Sequence, residues 1–161
     1  MKGAEVNSQR LQVLLLRLVG SVEMLAFIAV AMPRAWMEAA HRWLGLGEMT
    51  GGVILMFMIR QASFTYGVHG ALLWVMSSDV ERFRPLVVFT GVSYLLAGPA
   101  FLVIDIMSGM PWFWVLGETL FCLCAGAAIL WLGRGSDRMG EGRGYYVAGR
   151  SAAVRSSNSA T

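Results

Sequence analysis

The chain has 161 residues, of which 57% are hydrophobic and only 14% are charged. A soluble domain contains about 25% charged and roughly 45–50% apolar residues, so this composition excludes an ordinary soluble domain and indicates a membrane protein. The net charge of +3 does not indicate a nucleic-acid partner, because the basic residues lie beside apolar stretches, where they set orientation in a bilayer.

A polar lead, residues 1–10, precedes a first apolar span predicted at about 11–32. About 20 apolar residues cross a ~30 Å hydrocarbon core, so this stretch is long enough to span a membrane. A cleaved signal peptide is the alternative, because residues 29–31 have the small-x-small form of a cleavage site. Arg17 and Glu23 interrupt the apolar stretch and favour a span that is retained.

Residues 33–46 are predicted to form a short amphipathic helix that lies on the membrane surface. Trp36 and Trp43 are seven residues apart and share one helix face, whereas Arg34 and His41 belong to the polar remainder of the circumference. A helix with Trp on one face and basic residues on the other is typical of the membrane interface.

Three further spans are predicted, at about 53–76, 86–107 and 112–132. The hairpin of residues 108–111 is so short that the last two spans must be antiparallel neighbours. Residues 135–161 are rich in Gly, Ser and Arg and are predicted to be a disordered cytoplasmic tail. The predicted fold is therefore all-α: an antiparallel four-helix transmembrane bundle over residues 11–134, with a short extracytoplasmic interfacial helix.

The loop charges predict the orientation. Nine Lys and Arg residues flank one side of the predicted spans, and only Arg34 and Arg42 flank the other. Because basic loops stay in the cytoplasm, both termini and the polar lead are predicted to be cytoplasmic, and the interfacial helix is predicted to lie outside. In a bacterium this places the protein in the cytoplasmic (inner) membrane.

Ionisable residues within the predicted spans mark the candidate site. A charge at bilayer depth costs at least ~2.5–3.5 kcal/mol, so it usually faces a partner or a cavity. Counting 1.5 Å per residue from the outer helix ends puts Glu23 at a depth of about 13 Å and Arg60 at about 10 Å, in the outer half of the bilayer with Asp105 and Glu118. The same count puts His69 in the inner half, at about 22–24 Å. The candidate intramembrane polar cluster or ligand site comprises Glu23, Arg60, Asp105, Glu118, Tyr66, His69 and Tyr94.

Three interpretations of this cluster remain open: an ion-pair network of Arg60 with the acids, a ligand or proton site, and a contact with a partner subunit. His69 lies about 180° from Arg60 around its helix, so it is expected to hydrogen-bond a different neighbour. Glycines share the faces of the polar residues, which predicts close packing with those faces turned inward. Cys122 and Cys124 cannot pair within one helix, and no metal-ligand spacing is present.

The central and outer segments resemble the DoxX-like superfamily of small four-helix membrane proteins, which includes BphX-like families. The resemblance covers roughly residues 11–134 and is carried by Arg60 with Tyr66-Gly67 and Gly70, the turn Asp79 to Arg84 with Pro85-Leu86, Ile104-Asp105 with Gly109-Met110-Pro111, and Glu118. It implies a membrane protein that is sometimes a small subunit of a quinone-linked oxidoreductase and more often one without a known activity.

The sequence predicts a small non-catalytic membrane protein, an accessory or subunit-type component, since it lacks a phosphate-binding glycine motif and a nucleophile–base pair. The expected partners are the lipid bilayer and either a membrane subunit or further copies of the chain, without a cofactor. One alternative is a subunit that binds a quinone or another amphipathic ligand. A second alternative is a proton or small-solute transporter that acts as an oligomer.

Overall fold

The computed structural model describes residues 2–49 and 51–134, with side chains from Asn7 onward. The described chain is all-helical. Its helices are α1 (Lys2–Met24), α2 (Ala26–Ala31), α3 (Arg34–Trp43), α4 (Val53–Ser78), α5 (Arg84–Met107) and α6 (Trp112–Arg134). The predicted tail, residues 135–161, lies outside the described residues.

Three helical stretches among the described residues are long and apolar enough to cross a membrane: Asn7–Ala31, which covers most of α1 and all of α2, then α5 and α6. The remaining predicted span, which is the second in chain order, corresponds to α4; it has 26 residues and is the longest helix in the described chain. Polar residues such as Arg60, Gln61 and His69 lower its mean hydropathy below that of the other three. The structure therefore confirms long apolar helices at three of the four positions where the sequence predicts a span.

The first span differs from its prediction in two ways. Its helix already begins at Lys2, within the predicted polar lead. It is also interrupted at Leu25, whose amide N contacts both the Ser21 and Val22 carbonyl oxygens, at 3.3 and 3.2 Å. The α-helical hydrogen bonding changes at this point, and the short helix α2 completes the stretch.

The helix α3 begins after Pro33, whose extended backbone (ψ 144°) lies just outside the helix. Trp36 and Trp43 are both exposed, whereas Met37 is buried. The predicted interfacial helix is therefore present as an amphipathic helix somewhat shorter than 33–46. Gly45 and Gly47 follow it with positive φ angles of 75° and 80°, a conformation that side chains other than glycine rarely adopt.

A glycine-rich face brings α1 against α4. A Cβ atom added to Gly70 would lie 2.5 Å from the Gly20 carbonyl oxygen and 2.8 Å from the Met24 amide nitrogen. A Cβ on Gly67 would lie 2.6 Å from the Phe27 ring. Small residues at such crossings allow close approach of helix backbones, which is how helices associate in lipid.

The helices α5 and α6 form an antiparallel hairpin. A Cβ atom on Gly126 would lie 2.7 Å from the Gly91 carbonyl oxygen, and one on Gly98 would meet Leu123 at 2.9 Å. Gly109, with φ 68°, ends α5, and the Met110 amide then donates to the Asp105 carbonyl oxygen at 3.0 Å. This cap lets the chain reverse within a few residues.

The inward faces predicted for these two helices are confirmed. The α5 face is buried at four of its five positions and half-buried at the fifth, Phe101; the buried four are Gly91, Tyr94, Gly98 and Asp105. The facing side of α6 is buried at Cys122, Ala125 and Ile129 and half-buried at Glu118. The core formed where the long helices meet includes Leu16, Val19, Leu73, Met76, Val87 and Ile129.

The helix α4 is shifted along its axis relative to the first span, and the sequence does not predict this offset. Glu23 contacts His69, and the Phe27 and Phe64 rings lie 5.8 Å apart. Continuing this antiparallel register places Ala31, the end of α2, beside residue 60 or 61. About eight residues at the start of α4 therefore extend beyond the end of α2, by about 12 Å.

Candidate functional site

Side chains from three helices meet around the carboxyl group of Glu23. His69 of α4 places Nδ1 2.6 Å from Glu23 Oε2, and the Tyr94 hydroxyl of α5 donates to Glu23 Oε1. The Glu23 side chain is only 9% exposed. We call Glu23, His69 and Tyr94 the Glu23 cluster. It gives both oxygens of a buried carboxyl group a partner, which is the condition for burying such a group.

The chemistry of the carboxylate determines which ring nitrogen of His69 carries a proton. An ionised carboxylate has lone pairs only and must accept, so the Nδ1 atom of His69 is the donor. Within residues 2–49 and 51–134, Nε2 has no hydrogen-bond partner. The His69 side chain is 38% exposed, so this second nitrogen is left for a group outside the cluster.

His69 lies at one end of an open groove on α4. The groove has a volume of about 580 Å³ and is lined by Met58, Gln61, Ala62, Thr65, Tyr66 and His69. We call it the α4 groove. Thr65 is satisfied by its own helix, since Oγ1 donates to the Gln61 carbonyl oxygen at 3.0 Å. In contrast, the Gln61 amide and Tyr66 hydroxyl make no hydrogen bond within the described part of the chain. The groove thus combines apolar walls with three unused polar groups.

Asp105 and Glu118 form a second polar site between α5 and α6. Their carboxyl groups interact with each other, and Trp114 Nε1 donates to Glu118 Oε2 at 3.2 Å. Asp105 is only 8% exposed, and its Oδ2 atom is buried without a hydrogen-bond partner. We call Asp105 and Glu118 the carboxyl pair. Neither carboxyl has a Lys, Arg or His partner among the described residues.

Arg60 does not take the place predicted for it. The sequence placed it in the interior with the three acids, but its side chain is exposed and makes no hydrogen bond or ion pair within residues 2–49 and 51–134. The offset of α4 explains the difference, because Arg60 lies beside the end of α2 rather than about 10 Å deeper. Of the three interpretations that the sequence left open, the ion-pair network of Arg60 with the acids is therefore wrong.

The same offset corrects the predicted depths of Glu23 and His69. Counting from separate helix ends placed the two residues about 10 Å apart along the membrane normal. In the structure they are in contact, so they share one layer. Toward the opposite end of the same helix pair, Arg17 donates to Ser77 Oγ at 3.2 Å and lies over the Trp74 ring at 5.2 Å.

Sequence reasoning missed four of the buried polar residues, Gln12, Ser77, Thr90 and Thr119. Gln12 is 2% exposed, and its Nε2 atom donates to the Ile129 carbonyl oxygen at 3.2 Å, joining α1 to α6. The signal was present in the helical phase, since Gln12, Leu16, Val19 and Glu23 follow steps of three and four residues.

No family model, curated protein or solved structure matches this chain. Within the described residues, no group of three or more His, Cys, Asp or Glu side chains is arranged to hold a metal ion.

Proposed function

We propose that this chain is an integral membrane protein whose first span, α4, α5 and α6 cross the bilayer as an antiparallel four-helix bundle. The three long apolar helices support this placement, and α4 packs along the first span over most of its length.

Both termini are placed in the cytoplasm and α3 on the outer surface of the cytoplasmic membrane, in line with the loop charges. Single cysteines introduced at Ser8 and Glu38 test the orientation: a membrane-impermeant maleimide added to sealed cells should label only the second. Labelling of the cysteine at position 8 alone would indicate the opposite orientation.

Within that membrane the protein is of accessory type, without a reaction of its own, and it binds the polar end of an amphipathic molecule such as a quinone. One observation carries this proposal: His69, held through Nδ1 by a buried carboxyl group, has an unused Nε2 and lines the α4 groove. Ligand sites combine mostly apolar walls with a few well-placed polar groups, and this groove has that composition.

The protonation of His69 specifies what the ligand must offer. With the proton on Nδ1, Nε2 is an acceptor, so a hydroxyl group of the ligand donates to it. The Gln61 amide and the Tyr66 hydroxyl supply donors for a carbonyl oxygen. A quinol or another hydroxylated ring therefore fits His69, and its apolar tail extends into the lipid. The resemblance to the DoxX-like superfamily remains a prediction.

Equilibrium binding of decylubiquinol to the protein in lipid nanodiscs tests the proposal. His69→Gln and Gln61→Leu should each weaken binding about ten-fold, which corresponds to the loss of one hydrogen bond of about 1.4 kcal/mol. His41→Gln is the matched control, because His41 is the other histidine of the chain and lies in α3 outside the groove. Absence of binding, or equal binding by all variants, would contradict the proposal.

A second candidate function is a structural contact with a partner membrane subunit. It is favoured by the start of α4, where Val53, Ile54 and Phe57 are exposed beyond the end of α2 and Arg60 is exposed below them. Native mass spectrometry of protein extracted in mild detergent from its own membrane tests this candidate. A partner that is lost with Arg60→Glu and retained with Arg42→Glu would support it, whereas a bare chain would count against it.

A further inference from the structure

Two polar sites in the outer part of the bundle lack a partner of opposite charge. Arg60 is exposed on α4 and makes no hydrogen bond or ion pair within residues 2–49 and 51–134. Asp105 is only 8% exposed, and its Oδ2 atom is buried without a hydrogen-bond partner. Burying a carboxyl oxygen without a donor costs free energy, so the carboxyl pair requires a donor that the described residues do not supply.

The two sites lie at nearly the same level along the bundle axis. The Glu23 cluster defines a reference layer, because His69 and Tyr94 contact the same carboxyl group. Arg60 precedes His69 by nine residues in α4, and Asp105 follows Tyr94 by eleven residues in α5. Since α4 and α5 run in opposite directions, both steps lead toward the outer end. At 1.5 Å per residue they place Arg60 about 14 Å and Asp105 about 16 Å from the reference layer.

Arg60 faces away from the interior of its own molecule. Nine residues correspond to about two and a half helical turns, so Arg60 and His69 lie on opposite faces of α4. His69 faces Glu23 in the bundle, and Arg60 therefore faces outward. Arg60 shares its face with Val53 and Phe57, which lie seven and three residues earlier and are both exposed. This face of α4 thus presents one cation beside apolar side chains.

The carboxyl pair borders a second exposed face, which belongs to α6. Trp114, Glu118 and Phe121 follow steps of four and three residues and share this face. Trp114 and Phe121 are exposed, Glu118 is half-buried, and Trp114 Nε1 donates to Glu118 Oε2 at 3.2 Å. Arginine and aromatic side chains are enriched at the energetic centres of interfaces, and a guanidinium group binds carboxyl groups through two parallel hydrogen bonds. The α6 face therefore offers an arginine both a carboxyl partner and aromatic neighbours.

We propose that a second copy of this chain completes the site: Arg60 of one copy pairs with the carboxyl pair of its neighbour in the membrane. The chain carries both halves of the contact, so each copy supplies what the other lacks. Copies related by an axis along the membrane normal keep the same depth, and Arg60 of one copy is then level with the carboxyl pair of the next. This inference names the partner in the second candidate function; it rests on the proposed membrane placement and needs no bound quinone.

Charge exchange between two copies tests this contact, with native mass spectrometry in mild detergent as the measure of self-association. Arg60→Glu and Glu118→Arg should each weaken self-association roughly ten-fold or more, because each brings like charges together. A mixture of the two variants should associate again, since only a mixed assembly has opposite charges at every contact. Arg42→Glu is the matched control, because Arg42 is an arginine of α3, and it should associate like the wild type.

Disulfide cross-linking in the membrane gives a second measurement that needs no charge reversal. Cys122→Ala and Cys124→Ala first remove the two native cysteines. Copies with tags of different size then carry Arg60→Cys and Glu118→Cys, and mild oxidation should join the two. In the control pair Arg42→Cys takes the place of Arg60→Cys, and no product with Glu118→Cys is expected.

Three results would overturn the proposal. The first is a wild-type chain that stays single and gives no cross-link, with or without a retained phospholipid. The second is self-association that both charge reversals leave unchanged. The third is recovery only when Arg60→Glu and Glu118→Arg are combined in one chain, since the pairing would then lie within one molecule. A single chain whose cysteine is labelled from outside at position 38 but not at position 8 would refute the second-copy contact and leave the membrane placement intact.

Discussion

Adding one methyl group at Gly70 should separate α1 from α4 and break the Glu23 cluster. In Gly70→Ala the new Cβ would lie 2.5 Å from the Gly20 carbonyl oxygen, whereas ordinary contacts begin at 3.4 Å. The helices must therefore separate by the difference, about 0.9 Å, because the contacted atom belongs to a backbone and cannot rotate away. The same displacement would lengthen the 2.6 Å contact between Glu23 and His69 to about 3.5 Å, at the limit of a hydrogen bond.

The expected cost combines overpacking with the loss of this hydrogen bond. Overpacking of a close contact typically costs about 1–3 kcal/mol, and replacing glycine by alanine within a helix returns about 0.5–1 kcal/mol. Gly117→Ala is the matched control, because no heavy atom lies within 4 Å of the Cβ position in that α6 glycine. Gly117→Ala should gain only the stabilisation that alanine gives over glycine within a helix. The difference in the free energy of unfolding between the two variants therefore measures the cost of the clash at Gly70.

Reversible unfolding in mixed micelles with increasing SDS measures both free energies, with the fluorescence of the six tryptophans as the signal. The 15N spectrum of His69 gives an independent readout, since the ring should lose its fixed Nδ1–H tautomer only in Gly70→Ala. If Gly70→Ala were as stable as Gly117→Ala and kept that tautomer, the close crossing of α1 and α4 would be refuted.

Three other predictions concern the neighbouring contacts. Tyr94→Phe should lower the free energy of unfolding by about 1.5–3 kcal/mol in the same titration, because it removes a donor to a buried carboxyl group, whereas Tyr66→Phe should leave it unchanged. Gly126→Ala should destabilise the α5–α6 hairpin by about 1–3 kcal/mol through a backbone clash, and wild-type stability would contradict that contact. A lipid-soluble maleimide should label Cys124 well before Cys122, since only Cys124 is exposed. Mass spectrometry after brief labelling measures the order, and earlier labelling of Cys122 would contradict the prediction.

The sequence alone determined the helices and the inward faces of α5 and α6. Runs of about 20 apolar residues predict membrane-length helices because backbone groups in lipid must pair within the segment, and the structure has such helices close to the predicted boundaries. Helical phase also identified the buried faces of α5 and α6, since residues three and four apart share a face wherever the helix is placed. These properties are local, so no neighbouring helix is needed to predict them.

Only the tertiary structure decided which polar groups meet. The partners of Glu23 depend on the axial offset between α1 and α4, and that offset is set where Gly20 and Gly70 allow the backbones to touch. An offset of about eight residues moves a side chain by about 12 Å, enough to exchange Arg60 for His69 beside Glu23. Helix length and phase contain no information on this offset, because a helix keeps its own hydrogen bonds at every position along its neighbour.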